Sequence, residues 1–263
     1  MNLSISNIAW SADYDDKMYI FLSKNNFKGL EIAPTRIFPD APYDNLIEGK
    51  RFAYKLKEEY NLEISSMQSI WFGIAESIFG SGADRQKLVD YTKKAVDFAC
   101  EINCANLVFG CPKNRTVPSD MVLEGYLPVA YDFFNNIGNY AAACGICIAI
   151  EPNPPIYNTN FVNTSVEAFE ICRRLNNPGI KINADLGTFI YNNENIEIFK
   201  DNVDLINHIH ISEPYLGPIE ERELHGKLKD LEYKKFLSIE MANTNNIELV
   251  KNIILYIKEI YDI

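Results

Sequence analysis

The feature that most constrains this chain is a rhythm. Eight short apolar runs recur at intervals of about 30 residues, and the longer segments between them carry a helical period. The runs are LSIS from Leu3, GLEIA from Gly29, LEISSM from Leu62, ANLVFG from Ala105, ICIAIE from Ile146, IKINAD from Ile180, INHIHIS from Ile206 and FLSIE from Phe236. Each is rich in β-branched or aromatic residues and short enough to be a buried parallel strand. Between them, Met18, Phe21 and Leu22 mark a helix that Gly29 is expected to stop. Leu88, Tyr91, Ala95 and Phe98 mark a second, and SVEAFEICRRL opens behind a Thr164 or Ser165 cap. Ile247 to Tyr261 forms a strongly amphipathic closing helix. Eight alternating units with no dividing linker predict an α/β fold, a single (β/α)8 TIM barrel over residues 1–263. A doubly wound open sheet would call for GxGxxG after the first strand, and none is there.

Composition narrows the function classes. The formal charge of −11 repels phosphate backbones, so no nucleic-acid partner is expected. No apolar run approaches the roughly 20 residues that span a bilayer. The opening MNLSISNIAW lacks the basic start and apolar core of a signal peptide. A soluble, cytoplasmic protein with no membrane partner is expected, and homo-oligomerisation is left open. The six cysteines include a CxxC at Cys144 and Cys147, placed where a helix ends and a strand begins. A thioredoxin-like CxxC opens a helix instead, so buried, reduced, structural cysteines are expected.

In a TIM barrel, chemistry collects at the C-terminal ends of the strands. The fifth strand ends at Glu151, the sixth at Asp185, the seventh at His210 and the eighth at Glu240. Consecutive strands are neighbours, so the four side chains converge. Three carboxylates and an imidazole are a hard, oxygen-rich set. They suit one divalent cation, manganese first, with magnesium, cobalt or zinc as alternatives.

These pieces carry a resemblance. With IAIEPNPP around Glu151, NADLGT around Asp185, HIHISEP around His210 and LSIEM around Glu240, the whole chain resembles the xylose isomerase-like TIM barrels. That sugar phosphate isomerase/epimerase superfamily includes D-tagatose 3-epimerase and hydroxypyruvate isomerase. The resemblance implies Glu151, Asp185, His210 and Glu240 as metal ligands, with Glu151 and Glu240 also the catalytic acid/base pair. The epimerases usually carry a histidine three residues after the metal aspartate; Thr188 stands there in this chain.

Further residues are candidates for the substrate. His208 shares a strand face with His210 and could orient it or touch the ligand. Glu31 and Gln68 close the second and third strands and suit sugar hydroxyls, as do Glu213 and His225 beyond the seventh. Lys113 and Arg115 follow the fourth strand and suit a phosphate or carboxylate; a solvated charge pair is the plainer alternative. Trp71 and Phe72 either wall the sugar or cap the barrel. The expected activity is a metal-dependent isomerase or epimerase working on a sugar or sugar phosphate through an enediolate. The alternatives are a sugar dehydratase, an endonuclease IV-like phosphodiesterase, which three histidines and the negative charge disfavour, and a metal-free binding barrel.

Overall fold

A computed structural model describes residues 1–261; the last two residues of the predicted domain, 262 and 263, lie outside the described residues. Eight strands close into one barrel in sequence order, each parallel to its neighbours, with the first paired to the last. They are β1 (Asn2–Ser6), β2 (Gly29–Ile32), β3 (Glu63–Met67), β4 (Asn106–Phe109), β5 (Cys147–Ile150), β6 (Ile180–Asp185), β7 (Ile206–Ser212) and β8 (Phe236–Glu240). A main helix follows each: α1 (Asp15–Lys24), α2 (Leu46–Tyr60), α3 (Gly82–Glu101), α4 (Leu123–Ala143), α5 (Ser165–Leu175), α6 (Leu186–Tyr191), α7 (Glu223–Lys227) and α8 (Ile247–Tyr261).

The strand sequences sort their side chains by alternation. Leu3, Ile5, Leu30, Ile32, Leu107, Phe109, Ile148, Ile150, Ile182, Ile209, Ile211, Leu237 and Ile239 are buried in the apolar core. The residues between them are small or polar, and they bond to one another inside the barrel. Ser4 Oγ meets Ser65 Oγ at 2.6 Å, Gln68 Nε2 donates to Ser6 Oγ at 3.2 Å, and Asn106 Nδ2 donates to Ser66 Oγ at 2.9 Å. Two bonds cross the barrel: Asn207 Nδ2 to Asn106 Oδ1 at 2.7 Å, and His210 Nε2 with Glu31 Oε2 at 2.9 Å. The register slips once between β2 and β3, just before Glu31, and once between β6 and β7, just before Asn183. These slips leave Ser65 and Asn207 as extra residues that also bond inside the barrel.

Several helix ends follow their sequence signals. Thr164 caps α5 through a capping box with Glu167, and Ser81 does the same for α3 with Asp84. The first helix differs from expectation. It stops at Lys24, with Asn26 in the left-handed region at φ 62°, and Gly29 lies inside β2. Glycine is needed there for space, because a Cβ would come within 2.7 Å of the Phe236 ring and 2.8 Å of Ser65 Cβ. The segments after β6 and β7 also form much shorter helices than an even repeat suggests. All six cysteines are free; Cys104 and Cys172 are buried, but Cys100 is exposed on α3, which corrects the expectation that all are buried. Among the described residues, no helix is long and apolar enough to cross a membrane.

Candidate metal centre

At the C-terminal mouth of the barrel, Glu151, Asp185, His210 and Glu240 each present one ligand-capable atom, and the four atoms lie within 4.8 Å of one another. His210 Nδ1 is 2.9 Å from Glu151 Oε1 and 3.1 Å from Glu240 Oε2. Its Nε2 is held from behind by Glu31 Oε2 at 2.9 Å, which fixes the ring and directs Nδ1 at the carboxylates.

Each carboxylate is aimed by the residues around it. Asp185 ends β6 and caps α6: its Oδ1 accepts from the Thr188 N–H at 2.6 Å, and its Oδ2 accepts from the Ser212 hydroxyl. Glu151 Oε1 accepts from Asn183 Nδ2 at 2.7 Å, and Oε2 accepts from Asn153 Nδ2 at 3.0 Å. Gly110, just past β4, makes room for it, since a Cβ there would lie 2.6 Å from Glu151 Oε2. Asn153, Asn183 and Gly110 were missed in the sequence. Asn183 could have been found, because it precedes Asp185 by two and so shares its strand face.

The electrostatics describe a site with surplus negative charge. Burial, then the charge of Glu151, pushes Asp185 up to about 6. Burial also pushes Glu240 up to about 7, with Glu151 and Glu31 adding like charge. Burial opposes the protonation of His210, yet the charges of Glu240 and Glu31 and its bond to Glu151 hold it well above its usual value. Burial raises Glu151 too, but the bond to His210 outweighs it and leaves that carboxyl below the usual range. His210 Nδ1 thus faces the carboxylates where a cation would go. The donor set fits one divalent ion.

The cavity above this cluster has a volume of about 190 Å³. Glu151, Asp185 and Glu240 form its floor; Gln68, Asn153 and Tyr157 contribute polar walls, and Ile8, Val108 and Leu216 apolar ones. Leu216 and Tyr215 hold consecutive left-handed conformations, at φ 54° and 61°. The Tyr157 hydroxyl anchors that loop by accepting from the Tyr215 N–H at 2.8 Å.

Of the seven side chains expected at the substrate, Gln68 alone lines this cavity. Glu31 is fully buried behind His210, so it acts on the imidazole and not on sugar hydroxyls. His208 lies deeper in the barrel, bonded to Ser238 Oγ at 2.8 Å; burial lowers it to about 3, so it is neutral. Glu213 pairs both oxygens with Arg222 at 2.6 Å. His225 is buried against α8, with Nδ1 3.0 Å from the Tyr256 hydroxyl. The pair at 113 and 115 is also corrected. Arg115 is completely enclosed and donates to Glu151 O at 2.8 Å, Asn153 Oδ1 at 2.9 Å and Val162 O at 3.4 Å. Lys113 is exposed and borders a neighbouring pocket. No two-cation clamp for an anion forms. Trp71 packs edge-on against Phe109 at 4.8 Å, whereas Phe72 is 70% exposed.

Residues 21–260 match the family described as the xylose isomerase-like TIM barrel. The chain belongs to that family. Among solved structures, the 3-keto-D-glucoside 4-epimerase from E. coli superposes with a TM-score of 0.79 at 16% identity, covering 98% of this chain and 99% of the other. D-psicose 3-epimerase from Clostridium cellulolyticum, solved with D-tagatose, superposes with a TM-score of 0.76 at 14% identity, covering 100% and 97%. The IOLI protein with a bound zinc atom gives 0.73 at 15% identity, covering 99% and 96%. No curated protein sequence is significantly similar. Where the family's epimerases usually carry histidine, the Thr188 hydroxyl is buried and donates to Pro152 O at 2.7 Å. It is therefore turned away from a ligand in the cavity.

Proposed function

We propose that the chain is a divalent-metal-dependent sugar epimerase or isomerase that moves a proton on a carbon beside a carbonyl. The observation that carries this reading is the convergence of three carboxylates and one imidazole at the floor of a cavity at the barrel mouth. Glu151, Asp185, His210 and Glu240 would hold the ion, with manganese the first expectation. A bound divalent cation supplies Lewis acidity that stabilises the negative charge developing on an enediolate.

The protein's own groups do the rest. Glu151 and Glu240 rise from β5 and β8, with β6 and β7 between them, and both line the cavity. One can take the proton from a bound carbon while the other supplies a proton to the opposite face or to the adjacent carbon. The first outcome is epimerisation and the second isomerisation. Asn153 and Asn183 orient Glu151 through one oxygen each, so its position is set before substrate arrives. Because Arg115 is enclosed and Lys113 stands outside this cavity, a free sugar is favoured over a sugar phosphate.

The test is solvent-deuterium exchange into a panel of ketoses and keto-sugars by the Mn²⁺-loaded protein. Glu151→Gln and Glu240→Gln are each expected to abolish exchange while circular dichroism shows an intact fold. Full exchange by either variant removes that residue from the acid/base pair, and exchange that survives exhaustive chelation refutes the metal dependence.

A further inference from the structure

The cavity over the carboxylates is not the only concavity at the mouth of the barrel. A second, of about 510 Å³, adjoins it between the β3 and β4 loops. The two share Ser69, Cys111 and Pro112 in their linings, so they border one another at the barrel mouth. Resting on the free-sugar reading above, we propose that the substrate carries a second ring, joined to the reacting sugar, and that this ring lies against Phe72 in the adjoining pocket.

The second pocket is built to receive something. Its floor is Trp71, 2% exposed, whose Nε1 donates to Thr92 Oγ1 at 3.0 Å and whose ring packs edge-on against Phe109. Its two walls are tied together by Asn114, whose Nδ2 donates to Ile74 O at 3.0 Å and to Glu76 O at 2.8 Å. The Ile78 N–H donates back to Asn114 O at 2.9 Å, so the loops cannot separate without breaking these bonds. Against this fixed frame Phe72 presents an aromatic face that is 70% exposed. An aromatic face held bare beside a ligand cavity suits the apolar face of a pyranose or an aromatic aglycone.

The junction is strained as well. Ser69 and Cys111 both hold left-handed backbone, at φ 53° and 43°, and Gly73 follows at φ 82°. Such conformations cost about 1 kcal/mol or more at non-glycine residues and concentrate where a ligand is gripped. Lys113 stands on the rim, where its ammonium can donate to a hydroxyl of the second ring. A single ring at the metal centre would leave all of these features unused.

Calorimetric titration of the full chain, saturated with Mn²⁺, tests the idea with methyl β-D-glucopyranoside, phenyl β-D-glucopyranoside and cellobiose. At least one two-ring probe is expected to bind about tenfold more tightly than the methyl glycoside, as stacking plus burial of one ring implies. Phe72→Ala should erase that advantage and leave the methyl glycoside unchanged; the exposure of Phe72 keeps the fold out of the comparison. An advantage for the phenyl glycoside alone identifies an aromatic ring, and for cellobiose alone a sugar ring. Equal affinities for one-ring and two-ring probes, no binding of either two-ring probe, or an advantage that survives Phe72→Ala would each overturn the proposal. Only binding is read, so a failure of the proton-exchange test would refute the reaction and leave this result standing.

Discussion

Replacing Arg115 with methionine would keep most of the side-chain volume and remove every guanidinium donor. In the native chain those donors meet Glu151 O at 2.8 Å, Asn153 Oδ1 at 2.9 Å and, more weakly, Val162 O at 3.4 Å. Two well-bonded buried acceptors would be orphaned, at about 1–3 kcal/mol each. Relief from desolvation offsets part of this, since burial already lowers Arg115 to about 10, although it remains charged at neutral pH. A net loss of about 2–4 kcal/mol is expected, read as a shift in the urea midpoint at constant slope. The same change should reach the metal. Asn153 would lose its anchor, and its Nδ2 holds Glu151 Oε2 at 3.0 Å. Affinity for Mn²⁺ by calorimetry should fall by about tenfold, the lower end of what outer-shell partners contribute. Stability within about 0.5 kcal/mol of wild type together with unchanged Mn²⁺ affinity would refute this account. A variant of normal stability that fails only with anionic sugars would restore Arg115 to the substrate.

Glu31→Gln keeps the shape of the group behind His210 but removes its charge; Mn²⁺ affinity is expected to fall about 10- to 100-fold with the fold retained, and an unchanged titration would sink that role. His225 offers a pH-dependent test away from the metal centre. Burial lowers it to about 4, with Glu213 pulling the other way and Arg222 adding to the shift. Its folded value lies below its unfolded one, so its contribution is complete above the unfolded value near 6.5 and is lost as pH falls towards 4, up to about 3 kcal/mol. Urea unfolding at pH 7 and pH 4.5 should show a smaller drop for His225→Gln than for wild type. Equal drops would place the pH dependence elsewhere.

The barrel was legible because each strand is a short β-branched run and the helices between them repeat on a different period. The four clustered side chains were legible for a related reason: each closes a strand, and consecutive strands are neighbours. The polar interior was also written in the strands, in Ser4, Ser6, Ser66, Asn106 and Ser238, but it registers only when the residues between the apolar ones are read as a set. What stayed hidden was reach. Arg115 and Lys113 are two residues apart in one loop, yet the turn after β4 buries one completely and leaves the other in solvent. Cys111, in the left-handed region at φ 43°, makes that turn, and nothing in its residue type signals it. Glu31 looked like a strand-end group for sugar hydroxyls because β2 is only four residues long, so depth in the barrel could not be judged from position in the run. Glu213 and His225 found their partners, Arg222 and Tyr256, through tertiary packing that no local pattern encodes.

The bonds that cross the barrel bear on whether this chain could be divided. Its repeat invites the idea of two four-stranded halves, β1–β4 and β5–β8, each a self-sufficient module. The bond from Glu31 to His210 joins β2 to β7, and the bond from Asn106 to Asn207 joins β4 to β7. Either half alone would strand the polar groups along its axis, several of them charged or fully desolvated. The cut would also part α4 from β5 and β6, on which it packs. Modularity in this molecule therefore ends at the level of the single βα unit, and the smallest piece that satisfies its own interior is the closed ring.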